Sequence, residues 1–205
     1  FLVLITLLYF GVTIKWRHKF SGSEPLETKQ ALLFVSGMAL IYLLKGSPID
    51  LLGHITLTMH MVQMALLLLL AAPLIIMGIP SYLWQAFIKL PVINPLFMFF
   101  TKPLIALLLF SLFFSVYHLP LVFDFVKQDM LIHSIVSTLL FVAALLYWWP
   151  VVNNLEGMHK FHGLKKLGYL FGLSVLMTPA CALIIFSTTP FYATYSDGDA
   201  WMQAM

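Results

Sequence analysis

HITLTMHMVQMALLLLLAAPLIIM, residues 54–77, runs for twenty-four positions without an acidic residue, a lysine or an arginine. As a helix it would measure about 36 Å, more than the roughly 30 Å hydrocarbon core of a bilayer. Leu66–Leu70 is apolar on every side, so no face is left for water. The first half is different: it carries His54, Thr56, Thr58, His60 and Gln63 among Met59, Met61 and Met64. The stretch reads as a membrane span with one polar end.

Five more apolar segments flank it, at Phe1–Ile14, Gln30–Leu44, Leu96–His118, Met130–Val151 and Leu167–Ser187. Of the 205 residues 61% are hydrophobic and only 9% charged, against roughly 25% charged in soluble globular proteins. Nineteen charged side chains cannot cover a soluble domain of this size, and so much apolar surface excludes disorder. Cys181 is the only cysteine, so a disulfide scaffold is excluded. A scattered net charge of +3 does not suit a nucleic-acid binder. The sequence therefore predicts an all-α polytopic membrane helix bundle, one integral-membrane domain over residues 1–205 with six spans. Phe1–Ile14 would reach only about 21 Å, so this first span is expected to be cut at its N-terminus or to cross with help. Lys15-Trp16-Arg17-His18-Lys19 follows it, not the small residues of a signal-peptide cleavage site.

Local punctuation agrees with helices. Ser47-Pro48 and Asn94-Pro95 each read as a cap followed by proline at the first helical position. Gly78 and Pro80 are expected to close the third span and Pro150 the fifth, while Pro73, Pro103 and Pro179 should kink theirs. Gly168-x-x-x-Gly172 permits close packing of helices, within the chain or between two copies.

Charge sets the expected orientation. Lys15, Arg17, Lys19, Lys29, Lys89, Lys102, Lys160, Lys165 and Lys166 fall on one side, and only Lys45 and Lys127 on the other. The positive-inside rule makes loops 15–29, 79–95 and 152–166 cytoplasmic. Asp50, Asp124, Asp129, Asp197 and Asp199 then lie outside. Trp16, Trp84, Trp148 and Trp149 come at the inner boundary, as an aromatic belt would.

Under that topology the histidines divide. His18, His159 and His162 sit among the cytoplasmic lysines, where His159 and His162 read as part of a solvated loop facing anionic lipid. His54, His60, His118 and His133 all fall at the outer end of three consecutive spans. Thr56, His60, Gln63 and Leu67 form one helical stripe, with Met64 a turn below His60. Asp50, four residues before His54, is placed to orient that ring. Imidazole with thioether suits copper, above all Cu(I). Cys181 could add a soft donor. G-x-S-x-G, H-E-x-x-H and the phosphate-binding glycine loop are all missing, so no enzyme activity is expected.

His60-Met61-Val62-Gln63-Met64, running on to Ala71-Ala72-Pro73-Leu74 and Gly78-Ile79-Pro80, resembles the CtaG family of Bacillus-type cytochrome c oxidase assembly factors. Tyr117-His118-Leu119-Pro120, His133 and Tyr147-Trp148-Trp149-Pro150 continue the resemblance. It implies a seven-helix protein of the bacterial cell membrane, its last helix beyond Met205. It also implies a role in forming active caa-type oxidase, by handling copper for the binuclear centre on the oxidase's outer domain. The expected partners are an oxidase subunit or its copper-delivery proteins, docking on the outer face. Many relatives carry histidine where Met64 and Ser137 stand; methionine keeps copper plausible and serine removes one ligand. The first-choice ligands are His60, His118 and His133, followed by His54 and Met64. Two rivals are a haem-binding membrane cytochrome, with two histidines as axial ligands, and a small transporter, suggested only by the kinked helices.

Overall fold

A computed structural model of the chain describes residues 2–155, 157–187 and 191–195; Asp197 and Asp199 lie outside them. Among the described residues the chain forms eleven α-helices and no strand. These are α1 (Leu2–Phe10), α2 (Thr28–Lys45), α3 (Ile49–Ile55), α4 (Leu57–Ala65), α5 (Ala72–Gly78) and α6 (Ser81–Ile88). After them come α7 (Ile93–Phe100), α8 (Pro103–Tyr117), α9 (Pro120–Gln128), α10 (Met130–Val152) and α11 (Leu164–Ile185). Each expected span is largely helical, but the fourth is broken at Thr101 and Lys102: residues 96–100 belong to α7, and α8 starts at Pro103. Leu57–Gly78, Met130–Val152 and Leu164–Ile185 are each long and apolar enough to cross a bilayer alone. The pairs α2–α3, α6–α7 and α8–α9 are long and apolar enough only when each is taken together as a bent unit, turning by 48°, 113° and 76°.

Several boundaries differ from the sequence reading, each for a local reason. The polar end of the third span is not continuous helix. Thr56 is extended (φ −123°, ψ 135°) and its hydroxyl accepts from the Met59 N–H at 3.4 Å. A capping threonine satisfies an otherwise free N–H, so the helix restarts there. His54 consequently belongs to the short α3, not to the helix of His60. Pro103 begins α8 instead of kinking it, because its missing N–H costs nothing in a first turn. Asn94 and Pro95 lie in the first turn of α7, which starts at Ile93. Pro150 lies inside α10, two residues before its end. α4 passes into α5 through a π-helical turn, Leu66–Ala71, just before Pro73. Proline leaves an upstream carbonyl without its helical donor, and a wide turn accommodates this. The Trp148 indole N–H donates to the Leu68 carbonyl in that turn at 3.0 Å.

The core lies where α10 packs on α8 and α5. Leu140, Ala143, Ala144 and Tyr147 are buried along it, the alanines allowing backbones to approach. α11 packs against α8, with Gly172 near Leu107, while a Cβ at Gly168 would meet no side chain. Trp149 is not a boundary anchor: it is buried, edge-on to Trp84 and Phe97 at 4.8 Å each.

At the end of the bundle that carries the histidines, Gln63 sets the frame. Its Nε2 donates to the Leu44 carbonyl at 3.2 Å and the Ile49 carbonyl at 2.8 Å, pinning the α2–α3 bend onto α4. The Gln63 amide occupies the space a Cβ on Gly53 would need, which is why this position is glycine.

Candidate functional site at the histidine end

Four elements deliver four imidazoles to this end. His54 stands in the last turn of α3, and His60 in the first turn of α4. His118 closes α8. His133 is one turn into α10, whose start is fixed by the Asp129 carboxylate accepting from the Leu131 and Ile132 N–H groups at 2.7 and 3.1 Å. His60, His118 and His133 are buried, and His54 is exposed.

The hydrogen bonds choose tautomers. A carbonyl oxygen can only accept. His118 Nδ1, 2.7 Å from the Phe114 carbonyl, therefore carries its proton, and Nε2 is left with the lone pair. His54 Nδ1 stands 2.9 Å from the Asp50 carbonyl and has the same consequence. Asp50 does orient His54, but through its backbone. Its carboxylate pairs instead with Lys45 at 3.2 Å. His60 Nε2 lies 3.3 Å from the Tyr117 hydroxyl, so Tyr117 can hold that ring by accepting its N–H.

His133 joins two of its neighbours. Its ring is 5.5 Å from that of His54 and 6.2 Å from that of His60, centroid to centroid. An ion about 2.0–2.1 Å from a nitrogen of each ring holds two imidazole centroids no more than roughly 6.5 Å apart. Both pairs meet that limit. Neither nitrogen of His133 has a hydrogen-bond partner among the described residues, and neither has Nε2 of His118. Buried ring nitrogens are normally paired, so these free lone pairs are the feature a metal would use. The set is nevertheless not closed: among the described residues, no three His, Cys, Asp or Glu side chains are grouped to hold an ion as they lie.

His118 stands apart from this chain of rings. Its imidazole packs on Phe114 at 4.0 Å and reaches Phe123 at 6.4 Å, while His60 meets Phe123 edge-on at 5.2 Å. Met64 lies a turn below His60 but lines a different, apolar cavity, together with Cys181. Beside His54 and His133 lies a cavity of about 340 Å³, lined also by Lys45, Asp50, Ser134 and Ser137. Ser137 Oγ is buried there with no partner among the described residues. His159 and His162 occupy the opposite loop, where the His159 carbonyl accepts from the Asn153 side chain at 2.8 Å.

The cover over this end was not foreseen from sequence. Lys127 of α9 donates to the Gly53 carbonyl at 3.3 Å and lies over Phe123 and Tyr195. Tyr195 donates to the same carbonyl at 2.8 Å, and Tyr192 donates to the His118 carbonyl at 2.9 Å. Burial, with Tyr192 adding to it, pushes the Tyr195 phenol up, so it keeps its proton for that bond. Asp124 clips the turn Ala193–Tyr195 to α9 by accepting from Ala193 and Thr194. All but the Lys127–Phe123 contact join residues about seventy or more apart in sequence, which no local pattern signals.

No curated protein and no solved structure matches the chain. The family model described as cytochrome c oxidase caa3 assembly factor (Caa3_CtaG) matches residues 7–205, nearly the whole length, and the chain belongs to that family.

Proposed function

We propose that this member of the caa3 oxidase assembly factors handles copper at its histidine end and passes it toward the binuclear copper centre of the oxidase. His60, His118 and His133 are the principal donors in this reading, with His54 as a further one; Met64, expected beside them from its spacing, lines the other cavity instead. The observation that carries it is the set of buried ring nitrogens on His118 and His133 that have no partner among the described residues. Supporting it, His118 and His54 present Nε2 because a backbone carbonyl holds the other nitrogen, the arrangement usual for metal-bound histidine. Neutral imidazole nitrogen suits copper over calcium or magnesium. Copper is cargo here, so an open set of donors fits: a closed cage would hold the ion too well to release it.

In the same reading the basic end faces the cytoplasm of a bacterial cell and the histidine end faces out, where an oxidase subunit or a copper carrier docks. Two experiments test this. Deleting the gene abolishes caa3-type oxidase activity while other terminal oxidases persist; normal caa3 activity in the deletion strain overturns the role. In a Cys181→Ser background, a membrane-impermeant thiol reagent applied from outside labels cysteine placed at Gln128 and not at Gly22 or Asn154. The opposite pattern inverts the orientation.

A further inference from the structure

A second cavity, of about 320 Å³, lies between α4, α8 and α11, and four of its lining residues bear sulfur: Met61, Met64, Met177 and Cys181. Among the described residues the rest of its wall is hydrocarbon, Phe110 and Phe114 included, with no nitrogen or oxygen side chain. The sulfurs come as two pairs. Met61 and Met64 are three apart on α4, and Met177 and Cys181 are four apart on α11, so each pair occupies one face of its helix. Methionine is a common packing residue and one alone would mean nothing. Four sulfur-bearing residues lining one cavity from two helices, with no oxygen or nitrogen side chain among the described lining, offer a donor set of one chemical kind.

We infer that this cavity is a binding site for a monovalent soft metal ion, Cu(I) or its surrogate Ag(I), held by Met61, Met64, Met177 and Cys181. Thioethers are poor ligands for calcium, magnesium and manganese, which require oxygen, and good ones for Cu(I). Charge explains the lone cysteine. A cation in a hydrocarbon wall is costly unless neutralised. When Cu(I) binds, Cys181 forms a sulfur–metal bond and releases its thiol proton to water, and the thiolate cancels the metal's single charge. No electron is transferred. A divalent ion would keep a net positive charge in the same wall and is rejected. The site stands whether or not the imidazoles bind copper, because it shares none of their nitrogen donors.

The test uses the full chain in detergent, titrated anaerobically with Cu(I) against the chelator bicinchoninate. A His54→Ala, His60→Ala, His118→Ala, His133→Ala variant still binds one Cu(I), which shields Cys181 from N-ethylmaleimide; Zn(II) and Ca(II) do not. Met61→Leu, Met64→Leu and Met177→Leu together conserve volume and leave Cys181 alkylated as before without metal. They weaken Cu(I) binding by more than about tenfold, and Cys181→Ser weakens it further. X-ray absorption of wild-type protein, which depends on no variant's folding, shows sulfur scatterers around Cu(I). Unchanged affinity in the triple leucine variant, loss of protection in the histidine-free one, or a purely nitrogen shell in wild type would each overturn the site.

Discussion

His133→Ala leaves the protein inserted at normal levels but deprives it of histidine-bound copper and of its support for caa3 oxidase. Among the described rings His133 is the one within bridging range of both His54 and His60, at 5.5 and 6.2 Å. Removing it parts the other two. The ring makes no hydrogen bond in the described structure, so the fold loses packing and no polar partner is stranded. Losing a directly bound donor should exceed the roughly 10- to 100-fold affinity losses typical of groups that only orient ligands. His60→Ala and His118→Ala follow the same pattern, whereas His159→Ala and His162→Ala, in the opposite loop, behave as wild type. Copper is counted by metal analysis in a Cys181→Ser, Met177→Leu background, so that sulfur-bound ion is not included. Oxidase activity is read in the otherwise native chain. Copper retained in His133→Ala, or lost from the two loop variants instead, overturns the assignment.

Much of this was legible in the sequence. Six apolar runs translate into helices because a bilayer admits few alternatives once backbone polar groups must be satisfied internally. The clustering of His54, His60, His118 and His133 at one end also followed, since antiparallel spans return the chain to the same depth. What failed was everything set by competition between local signals. Thr56 looked like one more small polar residue inside a span, yet its capping bond breaks the helix and moves His54 to a separate element. Asp50 sat at the right spacing from His54, but Lys45 took its carboxylate, leaving the backbone carbonyl to orient the ring. Met64 stood one turn from His60, and helical spacing alone could not say that its side chain enters a sulfur-lined cavity. The cover made by Lys127, Tyr192 and Tyr195 depends on contacts remote in sequence. No periodicity encodes those.

Gly78→Ala should destabilise the protein strongly, because the added methyl group meets backbone. The sequence marks Gly78 as a helix terminator, and α5 does end there. Its greater importance is contact. A Cβ at this position would come within 2.5 Å of the Phe34 backbone nitrogen and 2.7 Å of its Cα, on α2. Backbone cannot swing aside as the end of a side chain can, so α2 and α5 must separate. Three interactions weaken with that movement. The Tyr9 hydroxyl donates to the Gly78 carbonyl at 2.8 Å, the Tyr9 ring stacks on Phe34 at 3.8 Å, and Gly37 of α2 packs against Leu74 and Ile75. Overpacking a tight core costs about 1–3 kcal/mol, occasionally more, and displacing a helix pair puts this site at the upper end, at about 3 kcal/mol or above. Gly168→Ala, where a Cβ meets nothing within 4 Å, is the matched control and should be nearly neutral. Thermal unfolding of the two purified variants in the same detergent decides it. Equal midpoints would mean that α2 and α5 do not meet at Gly78 as described.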